Sequence, residues 1–234
     1  NAVDYLQSIA KIDEHRIVVG GNHYSQTFSA GSKSIINSGS SDAWWGIFNH
    51  TAYLWEGLWG STDSADSFVH SVDVDAKGNI ILGASGCWMN SNCNVQIAGL
   101  SQSNLTKSGF VASVDQNGTG NWLLPIVSSN GDASPVNVLT TYENGDIAAA
   151  SRLCVSNTIC VGSVGNTGFA AANRYSVIVQ IHQDTDLDGI YDDTDNCRFG
   201  ISEWTSNNTT DFDNDGCRDV DEDLDDDNDG FYDI

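Results

Sequence analysis

The sequence predicts an all-β protein, with about three antiparallel repeat units over residues 1–183 followed by an irregular acidic tail over residues 184–234. Three observations carry this expectation. Short runs rich in β-branched and aromatic residues, such as NIILGA, FVASVD and YSVIVQI, are bounded by turn sequences such as AKGN, QNGTGN and ENGD. No segment sustains a helical period. The body also repeats itself, with an offset of 67 residues between its second and third copies. Finally, the tail holds 19 of the 32 Asp and Glu against Arg198 and Arg218 alone, so it carries −17 of the net charge of −23.

The first unit is the faintest copy. KIDEHRIVVGG (11–21) resembles VDAKGNIILGA (74–84), and WWGIFNHTAYLW (44–55) stands for FVASVDQNGTGNW (110–122). Its aromatic residues Trp44, Trp45, Phe48, Tyr53, Trp55 and Trp59 suit a strand core. The sharper alternative is a sugar-stacking face or an interface anchored by tryptophan. The second and third units align without a gap: Gly78 falls on Gly145, Ile80 on Ile147, Cys87 on Cys154, Cys93 on Cys160 and Val114 on Ile181. In both, the C-x5-C stretch reads as a hairpin tip, with Cys87 expected to bond Cys93 and Cys154 to bond Cys160.

The pattern D-x-x-G-N-hydrophobic, a strand, then F-V-x-x-V-D-x-x-G and a tryptophan resembles bacterial β-propeller-type repeats of secreted proteins. The resemblance implies that each unit is one antiparallel blade. Propellers close with about four to eight blades, and an unclosed set leaves strand edges open for pairing with another chain. Either further blades lie outside this sequence or copies of the chain assemble. The tryptophan-rich first unit is expected to dock head to tail, giving a ring or a filament.

The tail has a regular grammar. Ca²⁺ takes six to eight oxygens, and a twelve-residue loop supplies them from positions 1, 3, 5, 7, 9 and 12, with Gly at position 6 for the sharp turn. Asp184, Asp186, Asp188, the carbonyl of Ile190, Asp192 and Asp195 fill these positions around Gly189. Asp211, Asp213, Asp215, the carbonyl of Cys217, Asp219 and Glu222 fill them around Gly216, with Asp223 following. Asp225, Asp227, Asp229, the carbonyl of Phe231 and Asp233 begin a third loop that the chain end cuts short. A disordered acidic run would not return glycine to position 6. Only Asp223 and Leu224 separate the second loop from the third, which leaves no room for the flanking helices of an EF-hand.

D-x-D-x-D-G-x-x-D-x-x-D-x-C at 184–197 and D-x-D-x-D-G-C-x-D-x-x-E-D at 211–223 are similar to thrombospondin type 3 repeats. That resemblance implies a chain wound around a row of calcium ions, pinned by disulfides between neighbouring repeats. Cys197 and Cys217 sit where such cysteines would be.

Six cysteines in three pairs beside calcium loops indicate an oxidising, extracellular setting, with free buried thiols as the alternative. C-x5-C without matching histidines is a poor zinc spacing. Sequons at Asn49, Asn104, Asn117, Asn207 and Asn208 permit N-glycosylation. An acidic chain is a poor partner for nucleic acid or an anionic membrane, and no apolar run reaches the length of a membrane helix. No signal peptide is present. Asn1 is not an initiator, so the chain is expected to be a processed or partial product.

His15, His23, His50, His70 and His182 are scattered outside any catalytic motif, so no enzyme is expected. The resulting expectation is a secreted calcium-binding structural protein of a microbial cell surface or extracellular matrix, a subunit of a filament or other homopolymer. The alternatives are a carbohydrate-binding or adhesion module with a glycan or cell-surface partner, and a fragment of a propeller hydrolase.

Overall fold

The computed structural model describes residues 3–62, 66–87, 93–105, 107–128, 135–153, 159–164, 167–172, 175–202 and 204–233, with backbone alone at 104, 128, 152–153, 159–164, 167–172 and 175. Every helix or strand among these is a β-strand. The first repeat comprises β1 (Tyr5–Lys11), β2 (Arg16–His23), β3 (Thr27–Ala30), β4 (Lys33–Ile36), β5 (Asp42–Asn49) and β6 (Leu54–Gly60). The second comprises β7 (Phe68–Val74), β8 (Ile80–Gly86), β9 (Cys93–Ile97), β10 (Leu100–Leu105), β11 (Ser108–Val114) and β12 (Gly120–Ser128). The third comprises β13 (Val136–Thr141), β14 (Ile147–Leu153), β15 (Ile159–Val164), β16 (Thr167–Ala172) and β17 (Tyr175–Ile181).

The three repeats share one strand plan. Sheet orders are β1-β2-β5-β6, then β7-β8-β11-β12, then β13-β14-β17, all antiparallel where pairings are described. A small hairpin, β3–β4, β9–β10 or β15–β16, interrupts each sheet between its second and third strands. The third of these hairpins pairs with β12 and extends the second sheet to six strands. Among the described residues the pairings close neither a barrel nor a ring.

The shared plan follows from shared turn chemistry. Ile12, Asp75 and Tyr142 each donate their N–H to the carbonyl four residues on, at 2.9, 2.9 and 2.8 Å. Gly78 and Gly145 occupy the left-handed region at φ +83° and +92°, which a side chain resists. The Gln116 and Gln183 amides cap the Gly78 and Gly145 carbonyls at 2.8 and 2.7 Å. Between the second and third repeats each pair of equivalents lies 67 residues apart, as the sequence alignment requires.

Consecutive sheets also stack in one repeated way. Val72 N–H donates to Ser8 Oγ at 3.0 Å, and Leu139 N–H to Ser71 Oγ at 3.2 Å. A glycine stands beneath each approach. A Cβ on Gly20 would lie 2.7 Å from the side chains of Val69 and Val72. One on Gly83 would lie 2.8 and 2.9 Å from Leu139 and Val136, the residues 67 positions further along. Any side chain here pushes two sheets apart. Gly83→Val should therefore destabilise the chain by about 1–3 kcal/mol, as overpacking does. Denaturant unfolding measures this, and an unchanged midpoint would show that the sheets do not bear on each other at this point.

Burial along the stack is graded. Trp45 sits opposite Gly20 in the β2–β5 pair, and Val111 opposite Gly83 in the β8–β11 pair; both are 0% exposed. Ile178, 67 residues after Val111, is 77% exposed, and Val138 on β13 of the same sheet is 61% exposed. Trp45 belongs to the main core with Val18, Val69, Val72, Leu82 and Phe110. Trp44 lies in a second core with Val19, Leu58 and Ala30, where Phe28 and Ile35 of the β3–β4 hairpin cover it. The Phe28 and Trp44 ring centroids are 4.6 Å apart.

This burial bears on the aromatic residues of the first unit. Trp44 and Trp45 are interior, and Trp55 and Trp59 pack partly buried against the two cores. Trp44 and Trp45 are therefore core residues, while Tyr53 of the same aromatic set is exposed. Burying the two largest apolar side chains of β5 gains more than any exposed arrangement could, and the small hairpin supplies the cover.

Cys87 bonds Cys93, and Cys197 bonds Cys217, which indicates an oxidising setting. Cys154, and with it the expected Cys154–Cys160 bond, lies outside the described residues. Among the described residues no helix is long and apolar enough to cross a membrane. Asn117, Asn207 and Asn208 are exposed, Asn49 is half-buried at the end of β5, and Asn104 is in β10. The chain divides into two units, one of residues 1–141 with 148–179, the other of residues 142–147 with 180–234.

Candidate metal centres in the acidic tail

Among its described residues the second unit has no regular secondary structure beyond the first residue of β14 and the end of β17, so its shape comes from side chains that hydrogen-bond their own backbone. Asp favours such turns because its carboxylate reaches amides a few residues ahead. All three loops use the same bonds. The position-1 carboxylates of Asp184, Asp211 and Asp225 accept from the glycine N–H of Gly189, Gly216 and Gly230 at 3.1, 3.1 and 2.8 Å. The position-5 carboxylates of Asp188, Asp215 and Asp229 accept from Ile190, Cys217 and Phe231 N–H at 2.7, 2.9 and 2.9 Å. The position-9 carboxylates of Asp192, Asp219 and Asp233 accept from Thr185, Phe212 and Asp226 N–H at 2.7, 3.1 and 2.8 Å.

Position 9 thus closes each loop, a structural task that the calcium grammar alone does not reveal. Position 4 also repeats: Leu187, Asn214 and Asn228 have φ of +66°, +59° and +54°.

The arrangement aims carboxylates at common points. The ligand atoms of Asp184, Asp186 and Asp188 lie within 4.8 Å of one another, as do those of Asp211, Asp213 and Asp215, and those of Asp225, Asp227 and Asp229. In the first loop Asp186, Asp188 and Asp195 are buried. Asp184 Oδ1, Asp186 Oδ1, Asp188 Oδ2 and Asp195 Oδ2 accept no hydrogen bond although they are shielded from solvent. In the second loop the same holds for Asp213 Oδ2, Glu222 Oε2 and Asp223 Oδ2. Buried anionic oxygens without donors are costly, and a hard cation that takes only oxygen ligands resolves this cost directly. The residues present fit a bound Ca²⁺ at positions 1, 3, 5 and 12 of the first loop. In the third loop Asp227 and Asp229 are exposed.

The first two loops are laced together. Asn196 donates its backbone N–H to Asp215 O at 2.8 Å and its side-chain amide to Asp215 Oδ2 at 2.8 Å. Ser206 donates its N–H to Asp188 O at 2.7 Å and its hydroxyl to Asp211 Oδ2 at 2.6 Å. The Cys197–Cys217 disulfide spans the same pair of loops. Asp195 leans over Gly216, where any Cβ would collide with its carboxylate.

Burial, reinforced by the neighbouring carboxylates, pushes the Asp188 carboxyl up to about 6 and Asp195 up to about 7. A raised carboxylate means that protons compete with a cation for the same oxygens. Calcium affinity should therefore fall as pH drops below about 7, becoming at least about tenfold weaker at pH 5 than at pH 7.5, since each pH unit below a pKa costs a factor of ten per displaced proton. Calorimetric titration at the two pH values checks this, and equal affinities would contradict it. In chelator the sign reverses. The ion-free folded tail holds more protons than the unfolded chain, so its stability is greatest below about pH 4 and is lost as pH rises through 6 to 7.

Two groupings were not foreseen. Asp226 joins Asp219 and Asp223 in a further cluster within 4.8 Å; the run DVDEDLDDD holds all three, but no loop grammar selects Asp226. Asp146, His182 and Asp193 form another such cluster, and the separation of Asp146 from the other two in sequence gave no signal. The other histidines are engaged locally. His23 is buried with Nδ1 3.0 Å from Ser25 O, and His70 Nε2 lies 2.7 Å from the buried Ser85 hydroxyl, with burial lowering the pKa of both rings. His50 Nε2 lies 3.0 Å from Glu14 O. No protein-family model matches the chain, and neither does any curated protein.

Proposed function

We propose that the chain is a secreted calcium-binding structural protein of a microbial cell surface or extracellular matrix, in which blade-like stacked sheets carry a calcium-wrapped tail of the thrombospondin type 3 kind. One observation carries this reading: buried carboxylate oxygens without hydrogen-bond donors recur at the ligand positions of the first two acidic loops. Three loops built on one set of backbone bonds support a row of ions rather than a single chance site. Calorimetric titration of the metal-free chain with calcium tests the reading. At least two ions should bind, and a chain that takes up none sinks it.

Self-association is a second strand of the proposal, supported by a different surface from the one the sequence suggested. The third sheet leaves Val138 and Ile178 exposed at 61% and 77%, where the matching Val111 of the second sheet is covered by the next sheet. A homopolymer would cover this face with a further β-sheet from another copy. A second copy cannot repeat the internal contact unchanged, because Val138 and Ala150 stand where the second repeat has Ser71 and Gly83.

A further inference from the structure

The structure assigns a second kind of metal site to the chain, separate from the calcium loops: a transition-metal centre of the zinc class held by Asp146, His182 and Asp193. His182 Nδ1 lies 3.2 Å from Asp146 Oδ1 and 3.5 Å from Asp193 Oδ2. Zinc bonds to imidazole nitrogen and carboxylate oxygen are about 2.0–2.2 Å, which in a tetrahedron sets donor atoms roughly 3.4 Å apart. The observed separations are those of neighbouring ligands on one ion.

The second observation concerns Asp146 itself. It is 2% exposed, and its Oδ1 accepts no hydrogen bond, although His182 Nδ1 is within reach. The two atoms thus stand at ion-pair distance with no hydrogen bond between them. The other oxygen, Oδ2, is held by the Gln180 amide at 2.9 Å, the kind of outer hydrogen bond that orients a ligating carboxylate. The Tyr191 ring, with its centroid 5.5 Å from that of His182, flanks the imidazole.

The turn does not need this carboxylate. Its closure uses Tyr142 N–H to Asp146 O and Gly145 N–H to Tyr142 O, with the Asn144 side-chain oxygen accepting from Asp146 N–H at 3.2 Å. In the second repeat the equivalent turn closes with Asn79 at the position of Asp146, while Asp115 and Ser113 stand where the third has His182 and Gln180. The polar set is therefore peculiar to the third repeat, where the chain enters the acidic tail. A nitrogen donor disfavours calcium, which takes oxygen, and suits zinc and its neighbours. A bound ion would staple the 142–147 turn to the segment that opens the first calcium loop, leaving a fourth coordination position for water.

The test uses the full chain in saturating calcium, so that the loops are occupied, titrated with zinc chloride by calorimetry. One equivalent of zinc should bind, with the His182 imidazole resonances shifting in step by NMR. His182→Ala and Asp146→Asn should each weaken binding by at least about tenfold, because even the loss of an outer-shell partner costs that much. The proposal is overturned if the wild-type chain takes up no zinc under these conditions, or takes it up without moving the His182 resonances. Neither wild-type outcome depends on how the variants fold. The zinc result is also independent of the calcium titration, so either reading can fail alone.

Discussion

Removing calcium should open the tail to proteolysis throughout residues 184–233 while the sheets of the first unit stay resistant. Within each loop three carboxylates lie inside 4.8 Å of one another. At an effective dielectric of 20, two such charges repel by on the order of 3 kcal/mol. Little else holds the tail together. Leu187, Phe212, Leu224, Phe231 and Tyr232 are all exposed, so apolar burial contributes little there. Calcium at a hundredfold above its dissociation constant adds about 2.7 kcal/mol per site to the folded form. Chelation should therefore raise the open population, and with it the cleavage rate, by about a hundredfold for each site emptied. Fragments cut between Cys197 and Cys217 will stay covalently joined until that bond is reduced. Equal cleavage rates in calcium and in EDTA would contradict a metal-held tail.

The second large effect concerns Trp45. Trp45→Ala should cost about 3–5 kcal/mol, the range for deleting a fully buried aromatic, and so remove much of the stability of a typical domain. Its indole stacks on Trp59 at 6.3 Å and closes the core that also holds Val18, Val69, Val72 and Phe110. Trp45→Phe should recover most of the loss. Denaturant unfolding distinguishes this from the surface role that a glycan-stacking residue would have. A surface tryptophan could be removed at a cost within about 0.5 kcal/mol, and a value that small would mean that Trp45 is not a core residue.

How much of this was legible in the sequence varies by element. The alignment of Gly78 with Gly145 and of Gln116 with Gln183 reads directly as matching hairpin turns, because positive φ and a fixed amide cap constrain residue identity locally. The acidic loops were legible for the same reason: each bond from Asp184, Asp188 or Asp192 reaches an amide within seven residues. What the sequence concealed depends on distant residues. That Trp44 lies beneath Phe28 and Ile35 follows from the β3–β4 hairpin folding back over β5, and no spacing announces it. The contacts of Val72 with Ser8 and Leu139 with Ser71 join residues more than 60 apart through a serine hydroxyl that looks like any other. Asp146 reads as an ordinary turn residue until the fold brings His182 beside it.

Crystals grown in calcium test the central claim most directly. Calcium density should sit among Asp184, Asp186, Asp188 and Asp195, and again among Asp211, Asp213 and Asp215, with six to eight oxygens at 2.3–2.6 Å around each ion. Water molecules or lysine ammonium groups at those points, in crystals saturated with calcium, would contradict it.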